Sequence, residues 1–486
     1  MVGITAYGAY IPRYRLKRKK IFESIGWFNA ATAGVARGEK AIANFDEDSI
    51  TMSVAAAMDC LNGLPRHQVD GLYLSSMSLP YVERQNAAIC ASALAFRSDI
   101  RTADFGASAK AGTTALLAAC EAVQAGNRNN FLVCAADLRL GKPGSNLEHL
   151  FGDGAAALLV GRENVMAELK TGDSFTDDFP DIVRGEGQQF PRTWEERWVR
   201  EEGYQKIIPR TVGHALQKWG LAATDVAKAV IACPNSRVLM GIGKKLGFSP
   251  KQIQDPLLDT IGDTGAALPL MMLVAALESA RPGDKILVVS YGTGGDALLF
   301  EATDQVATAK GHMGVTGHLN LKKNLEDYTR YLVFRGILPV EVGIRGEDNP
   351  FVRFSSTYRM GDTISSLRGS RCTACGTPQY PKQRVCINPS CGAIDQMEDY
   401  YFYDKVGRIN SYTGDNLAFA WNPPGMYGLV DFEEGGRLYL DFTDCDLSEL
   451  KVGKAVRLSF RRRFVDKQRG IIAYFWKAVP LPDKEL

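Results

Sequence analysis

No apolar stretch in this 486-residue chain approaches the roughly 20 residues a membrane-crossing helix needs. The first apolar segment, Val2–Ile11, has its basic residues after it, which is the wrong order for a secretory signal. Charge of either sign is not in excess. With 57 basic and 55 acidic residues the formal net charge is +2, which removes the electrostatic reason to expect nucleic acid. The densest basic run, Arg13–Lys20, reads as a wet helix start rather than a phosphate contact. Histidine is scarce, with five in all. His67, His214, His312 and His318 sit in polar contexts and are expected at the surface, while His149 precedes a glycine turn and is placed beside a pocket. Cysteines number ten, but a disulfide framework is excluded by where they fall. Four crowd between Cys372 and Cys391, and Cys60, Cys90, Cys120, Cys134 and Cys233 lie among apolar residues. A reduced, cytoplasmic protein with one metal site is expected.

What is present suits a globular protein of two or three domains, with 45% hydrophobic and 23% charged residues. An internal duplication organises residues 1 to about 305. Helix 112–125, strand 131–136 and Gly152–Val160 recur as helix 265–280, strand 285–290 and Gly292–Phe300. Helices apolar all round must lie between layers, and unbroken apolar strands imply sheets covered on both faces. Two stacked α/β halves are therefore expected. Both glycine-bounded helices start beside turns, around Ala109 and Asp263, where backbone N–H groups favour negative charge.

Residues 306–370 are a transition in which 321–335 carries helical spacing. Beyond it come short strands at 406–413, 427–432, 437–442 and 456–461, the pattern of a small barrel. Between them Cys372-x2-Cys375-x10-Cys386-x4-Cys391 supplies four soft ligands for a structural zinc ion. Gly376, Pro378, Pro381 and Pro389 make that stretch a loop region with no core for the cysteines to join. The expected domains are 1–350, 351–400 as linker and ribbon, and 401–486.

Asp46-Glu-Asp-Ser-Ile-Thr-Met52, Phe151-Gly-Asp-Gly-Ala-Ala-Ala157 and Ser290-Tyr-Gly-Thr-Gly294 resemble motifs of hydroxymethylglutaryl-CoA synthase, of the thiolase superfamily. The resemblance implies an α/β fold, the duplicated thiolase-type layered αβαβα domain, and an acyl-CoA substrate. It also implies coenzyme contacts from loops carrying Lys110, Gly112, Asn235 and Gly292. The part after residue 370 resembles the zinc-ribbon plus OB-fold proteins that accompany thiolases and help hold the pantetheine arm. The reactive side chains that the resemblance leads one to seek are missing. The family's cysteine falls on Ala109, its glutamate on Met77 and its histidine on Ala232, and an asparagine usual in related enzymes is Asp263.

Acyl transfer through an acyl-enzyme needs a nucleophile that alanine does not supply. Ser108 is one residue away, with no histidine base in reach. An aldol or retro-aldol step on a CoA thioester needs only a base and donors for the enolate oxygen. Asp263, Tyr291, Tyr81 and Cys233 are the candidates. Against these stand plainer roles: a helix cap for Asp263, packed aromatics for the tyrosines and a core filler for Cys233. Two other functions stay open, a non-catalytic scaffold serving a separate thiolase and an acyltransferase of the synthase type. A homodimer or larger assembly is expected.

Overall fold

The computed structural model describes residues 1–126, 128–308, 312–344 and 351–482. The first half of the α/β body contains strands β1 (Gly3–Tyr10), β2 (Gly71–Ser75), β3 (Arg101–Phe105), β4 (Phe131–Leu138) and β5 (Asp153–Gly161). They lie in the order β1-β5-β4-β2-β3, with β4 and β3 parallel to β2 and β5 antiparallel to β1 and β4. The second half repeats this with β6 (Ala167–Thr176), β7 (Lys228–Ile231), β8 (Lys285–Tyr291) and β9 (Gly294–Ala302), in the order β6-β9-β8-β7. A parallel bridge from Ile253 to Ala229 holds the place of the fifth strand. The duplication read from the sequence is thus a repeat of topology. Pairing of Gly3 with Glu168 and Ile4 with Ala167 joins the halves into one nine-stranded sheet.

Helix α1 (Ser49–Cys60) covers the outer face of the first half and α3 (Gln205–Trp219) that of the second. Between the halves lie α2 (Ala111–Gln124) and α4 (Leu268–Leu277), giving the five layers. Every residue of α4 except Ala275 is buried, as its uniformly apolar sequence requires. Gly112 is what lets the two central elements cross. A Cβ there would stand 2.2 Å from the carbonyl oxygen of Ala266.

The expected helix over 321–335 is confined to Tyr328–Phe334, because Lys323–Asn324 adds a short strand beside Tyr14–Lys17. The expected boundary at 350/351 falls on 345–350, outside the described residues. Strands β10 (Arg368–Cys372), β11 (Pro378–Gln379) and β12 (Met397–Tyr401) form the ribbon sheet. Strands β13 (Gly407–Asp415), β14 (Gly425–Phe432), β15 (Arg437–Asp441), β16 (Ala455–Asp466) and β17 (Ile471–Pro480) follow, ordered β15-β14-β13-β16-β17. A bridge from Phe442 to Ala478 closes them into a barrel.

The barrel is not an appendage. Its core residues, among them Val430, Phe460 and Trp476, form one continuous cluster with α1 and the outer face of the first half-sheet. At the seam Arg461 is buried against Asp46 (3.2 Å), Glu47 (2.8 Å) and Asp444, and Lys477 meets Asp46 at 2.9 Å. Tyr474 donates to Asp48, which also caps α1 through a reciprocal capping box with Thr51. The acidic motif at residues 46–48 therefore serves the domain junction.

Candidate active site

The loop after β3 carries Ala107 at φ +66° and leads through Ala109 into α2. A non-glycine residue in that region costs on the order of 1 kcal/mol, and such strain collects at functional sites. Facing the loop is the β8–β9 turn, where Thr293 has φ +38°. A Cβ on Gly292 would lie 2.8 Å from Ser108 Oγ and 3.0 Å from the backbone nitrogens of Ala109 and Lys110. Glycine here lets the two loops close on those amides. Ser108 is occupied by the Thr293 hydroxyl, which donates to it at 3.0 Å. The Lys110 ammonium is turned inward to Asp296 (3.0 Å), a buried carboxylate that also accepts from Thr113, Thr114 and Ser174. Lys110 thereby ties the loop to the second half-sheet.

Met77 follows β2. Its N–H donates to Asp137 Oδ1 at 2.7 Å, and the same oxygen takes the hydroxyls of Ser76 and Ser78. Asp137 Oδ2 accepts from Ala266 at the start of the second central element, so one carboxylate at the end of β4 pins both halves. Burial raises its pKa, and Arg139 and its donors oppose that rise. The Met77 side chain reaches toward Gly265, where a Cβ would meet Met77 Cε at 2.6 Å. Beside it Asp263 accepts from Gly265 N–H (2.9 Å) and from Arg139 Nη1 (2.5 Å). Both its oxygens are therefore engaged. Arg139 also stacks 3.7 Å from the Phe151 ring centre, and its carbonyl accepts from Arg335, itself paired to Asp153 at 2.8 Å.

On the second half's side Tyr291 packs edge-on against Tyr204, centroids 5.0 Å apart, and its hydroxyl is hydrogen-bonded to Asp181. Burial first, then Asp181, raises the Tyr291 pKa well above its usual range, and burial raises that of Asp181. Tyr204 ends a π-helical stretch, Val199–Tyr204, a form frequent at functional sites. Ala232 lies at the end of β7 with only a methyl to offer, and the neighbouring Cys233 is fully buried, its thiol pushed up to about 12 by burial. Such a thiol is inert at neutral pH. Asn235 caps the helix Ser236–Lys245 by accepting from Val238 at 3.0 Å.

The structure therefore brings Ala109, Gly292, Met77, Asp263, Tyr291 and Cys233 to one region beside the starts of the two central helices, with Tyr291 and Cys233 reaching it from the layer of α3. Tyr81 lies elsewhere, its hydroxyl accepting from Ile472 N–H of β17 at 2.8 Å. The sequence reading missed Asp137, Arg139, Asp181 and Tyr204. The first two had a usable signal, charged residues at the end of an otherwise apolar strand, and the last two sit in a stretch without motif. His318, expected at the surface, is buried against Tyr10 at the domain seam.

The four ribbon cysteines converge. Their Sγ atoms lie within 4.8 Å of one another, with Cys372–Cys391 at 3.8 Å and Cys375–Cys386 at 3.5 Å. Four thiolates about 2.3 Å from a tetrahedral zinc ion are separated by ~3.8 Å, so the set fits that ion with no open position. Hydrogen bonding to Thr377 pulls the Cys375 thiol down to about 6, while hydrogen bonds within the cluster raise Cys386 and Cys391. The zinc is structural.

Comparison with known proteins agrees with this division. Residues 216–299 match the family described as 3-oxoacyl-[acyl-carrier-protein] synthase III C terminal. Residues 365–395 match the ChsH2 rubredoxin-like zinc ribbon domain, and 403–461 the ChsH2 C-terminal OB-fold domain. The hydroxymethylglutaryl-CoA synthase of Methanothermobacter thermautotrophicus is 35% identical over 347 residues, 70% of this chain and 99% of that protein. That of Methanopyrus kandleri is 35% identical over 314 residues, 63% of this chain and 89% of that protein. A crystal structure of an HMG-CoA synthase complexed with CoA superposes with a TM-score of 0.62 at 19% identity, over 72% of this chain and 94% of that one. No described helix is long and apolar enough to cross a membrane.

Proposed function

The chain belongs to the hydroxymethylglutaryl-CoA synthase family, is an acyl-CoA-binding protein of the thiolase superfamily, and we propose that it makes or breaks a carbon–carbon bond by aldol-type chemistry without a covalent intermediate. One observation carries the reading. The loop at Ala109–Lys110 and the turn at Gly292 close on one another, with Lys110 N–H directed to Ser108 Oγ (3.4 Å) and Gly292 N–H to the Gly294 carbonyl (3.1 Å), while the side chains at 109, 77 and 232 include no nucleophile, acid or base. A backbone donor such as the Ala109 N–H needs no side chain to hold an enolate oxygen.

In the cleaving direction a base takes the proton from the β-hydroxyl of a hydroxyacyl thioester. The Cα–Cβ bond breaks, a carbonyl forms at Cβ, and the electron pair passes through Cα onto the thioester oxygen. Protonation at Cα releases the shorter acyl-CoA. Asp181 with Tyr291 supplies the base and relay, because burial raises the Asp181 pKa toward the range useful for proton transfer. Asp263, the first candidate by sequence, instead holds Arg139 in place.

The test is incubation of the purified protein, without partner, with β-hydroxyacyl-CoA thioesters. Release of a carbonyl compound is the expected result. Turnover only after adding a thiolase would support the scaffold reading, and an acyl-enzyme would support the acyltransferase. A homodimer belongs to the same proposal. Strand β3 has a sheet neighbour on one side and is half-exposed, so a two-fold partner would extend the sheet there.

A further inference from the structure

Where the barrel meets the α/β body, two cavities of about 220 and 440 Å³ adjoin and share Tyr10, His318, Asp444, Arg457 and Val479 in their walls. The larger falls within the size range of small-molecule sites. Its one wall comes from the end of β1 and the end of the helix Gly314–Asn320, and its other from β16, β17 and the turn before β16. Tyr10 packs with α1 and the barrel core, whereas the Ala109 loop leads into α2 between the halves. The cleft is thus on the outer side of the first half-sheet, away from the acyl site.

Five cations line the larger cavity, Arg13, Lys322, Lys451, Lys454 and Arg457, against two carboxylates, Asp444 and Glu449. Both carboxylates are taken. Asp444 faces Arg461 and accepts from Asn44 at 2.9 Å, and Glu449 pairs with Arg13 at 2.6 Å. Lys322 is held by Glu39 at 2.7 Å. In the smaller cavity Asp59 accepts from the backbone N–H groups of Ala9, Met313 and Gly314. Arg457, half-buried on β16, and Lys451 have no hydrogen bond or ion pair with any described residue. Burial first, then Arg457 and Arg15, holds the His318 pKa down, so a neutral imidazole sits beside two guanidinium groups. Arg15 is 1% exposed, and its Nε and Nη2 find no hydrogen-bond partner among the described residues.

A half-buried guanidinium without counter-charge, a second unpaired cation at the rim and an apolar wall of Ile11, Leu321, Val479 and Leu481 select for a small organic anion of more than one charge. We infer that this cleft binds a phosphate monoester other than the coenzyme, received by Arg457 and Lys451, and that the bound ligand ties the barrel to the α/β body. The arginine fork matches two phosphate oxygens, and a monoester carries nearly two charges at neutral pH where a carboxylate carries one. The site goes beyond the reaction proposed above and does not depend on it.

Calorimetry on the full chain compares phenyl phosphate with benzoate, which share an aromatic body and differ in charge. Phenyl phosphate is expected to bind about tenfold more tightly. Arg457→Gln should remove that preference and Arg457→Lys should keep part of it, with benzoate binding unchanged in both. Saturating acetyl-CoA should leave phenyl phosphate binding as it was. Hydrogen exchange should slow on both sides of the cleft, in β16 and in the helix Gly314–Asn320, when phenyl phosphate is added. Equal binding of the two probes by the unmodified protein overturns the inference, as does a preference that survives Arg457→Gln. Displacement by CoA but not by dephospho-CoA also overturns it, since Arg457 would then serve the coenzyme's 3′-phosphate. Slower exchange on one side only removes the tie between the domains. If Arg457→Gln loosens the barrel, benzoate binding falls too, and Arg457→Lys decides by keeping or losing the preference.

Discussion

At the scale of single residues the site is defined by exchanges of chemistry between neighbours. Restoring a thiol by Ala109→Cys places it at a helix start, where a thiolate is favoured, yet Ala232 and Met77 leave it without the base and acid that acyl transfer uses. Intact-protein mass spectrometry after exposure to acetyl-CoA should show no acylated species. Asp263 answers differently. As a helix cap its removal would cost about 1 kcal/mol. Because it is the counter-charge of Arg139, whose side chain is 8% exposed, Asp263→Ala should cost about 3–5 kcal/mol by stranding a buried cation. Denaturant unfolding should show Asp263→Ala/Arg139→Met closer to the original protein than Asp263→Ala alone. Additive losses would mean that the pair is not the reason.

At the scale of elements, legibility followed periodicity. Helices α2 and α4 and strands β4, β5, β8 and β9 were readable because uniform apolarity and bounding glycines leave few alternatives. The four-cysteine knuckle was readable because ligand spacing is a short-range property. What stayed hidden was set by distance along the chain. The Arg139–Asp263 pair joins residues 124 apart, and Tyr81 was drawn to β17, 391 positions away, by a contact no local pattern announces. Two elements carry predictions. Removing zinc with a chelator should strip hydrogen-exchange protection from 365–395 while β4 and β8 keep theirs. His318 lies on the helix Gly314–Asn320 against Tyr10, and burial, then Arg457 and Arg15, depresses its pKa to about 3. A base so depressed contributes stability that is present above its unfolded pKa, about 6.5, and is lost as pH falls toward 3. Relative to His318→Gln, the original protein should therefore lose about 2–3 kcal/mol between pH 6.5 and 4.5. A parallel acid limb in the two proteins would show that the histidine is not the group responsible.

For the whole molecule the decisive fact is that the barrel's core and the outer layer of the α/β body are one cluster. One side of the barrel is therefore covered by α1 of its own chain. The junction is held by charge as well as apolar area. Arg461, 1% exposed, faces Asp46, Glu47 and Asp444, and Lys477 also pairs with Asp46. Burial raises Glu47 to about 7 even with Arg461 opposing the rise. Arg461→Met would leave these carboxylates buried with one ammonium among them, at a cost of about 3–5 kcal/mol. The folded pKa of Glu47 would rise further above its unfolded one, so the deficit should shrink as pH falls from 7 toward 5, where that carboxyl can protonate. Because the core is shared, the loss should not stay in the barrel. Hydrogen exchange in Arg461→Met should quicken together in β16, β17 and α1. Faster exchange confined to β13–β17, with α1 unchanged, would mean that the two parts unfold independently and that their fusion is connective rather than structural.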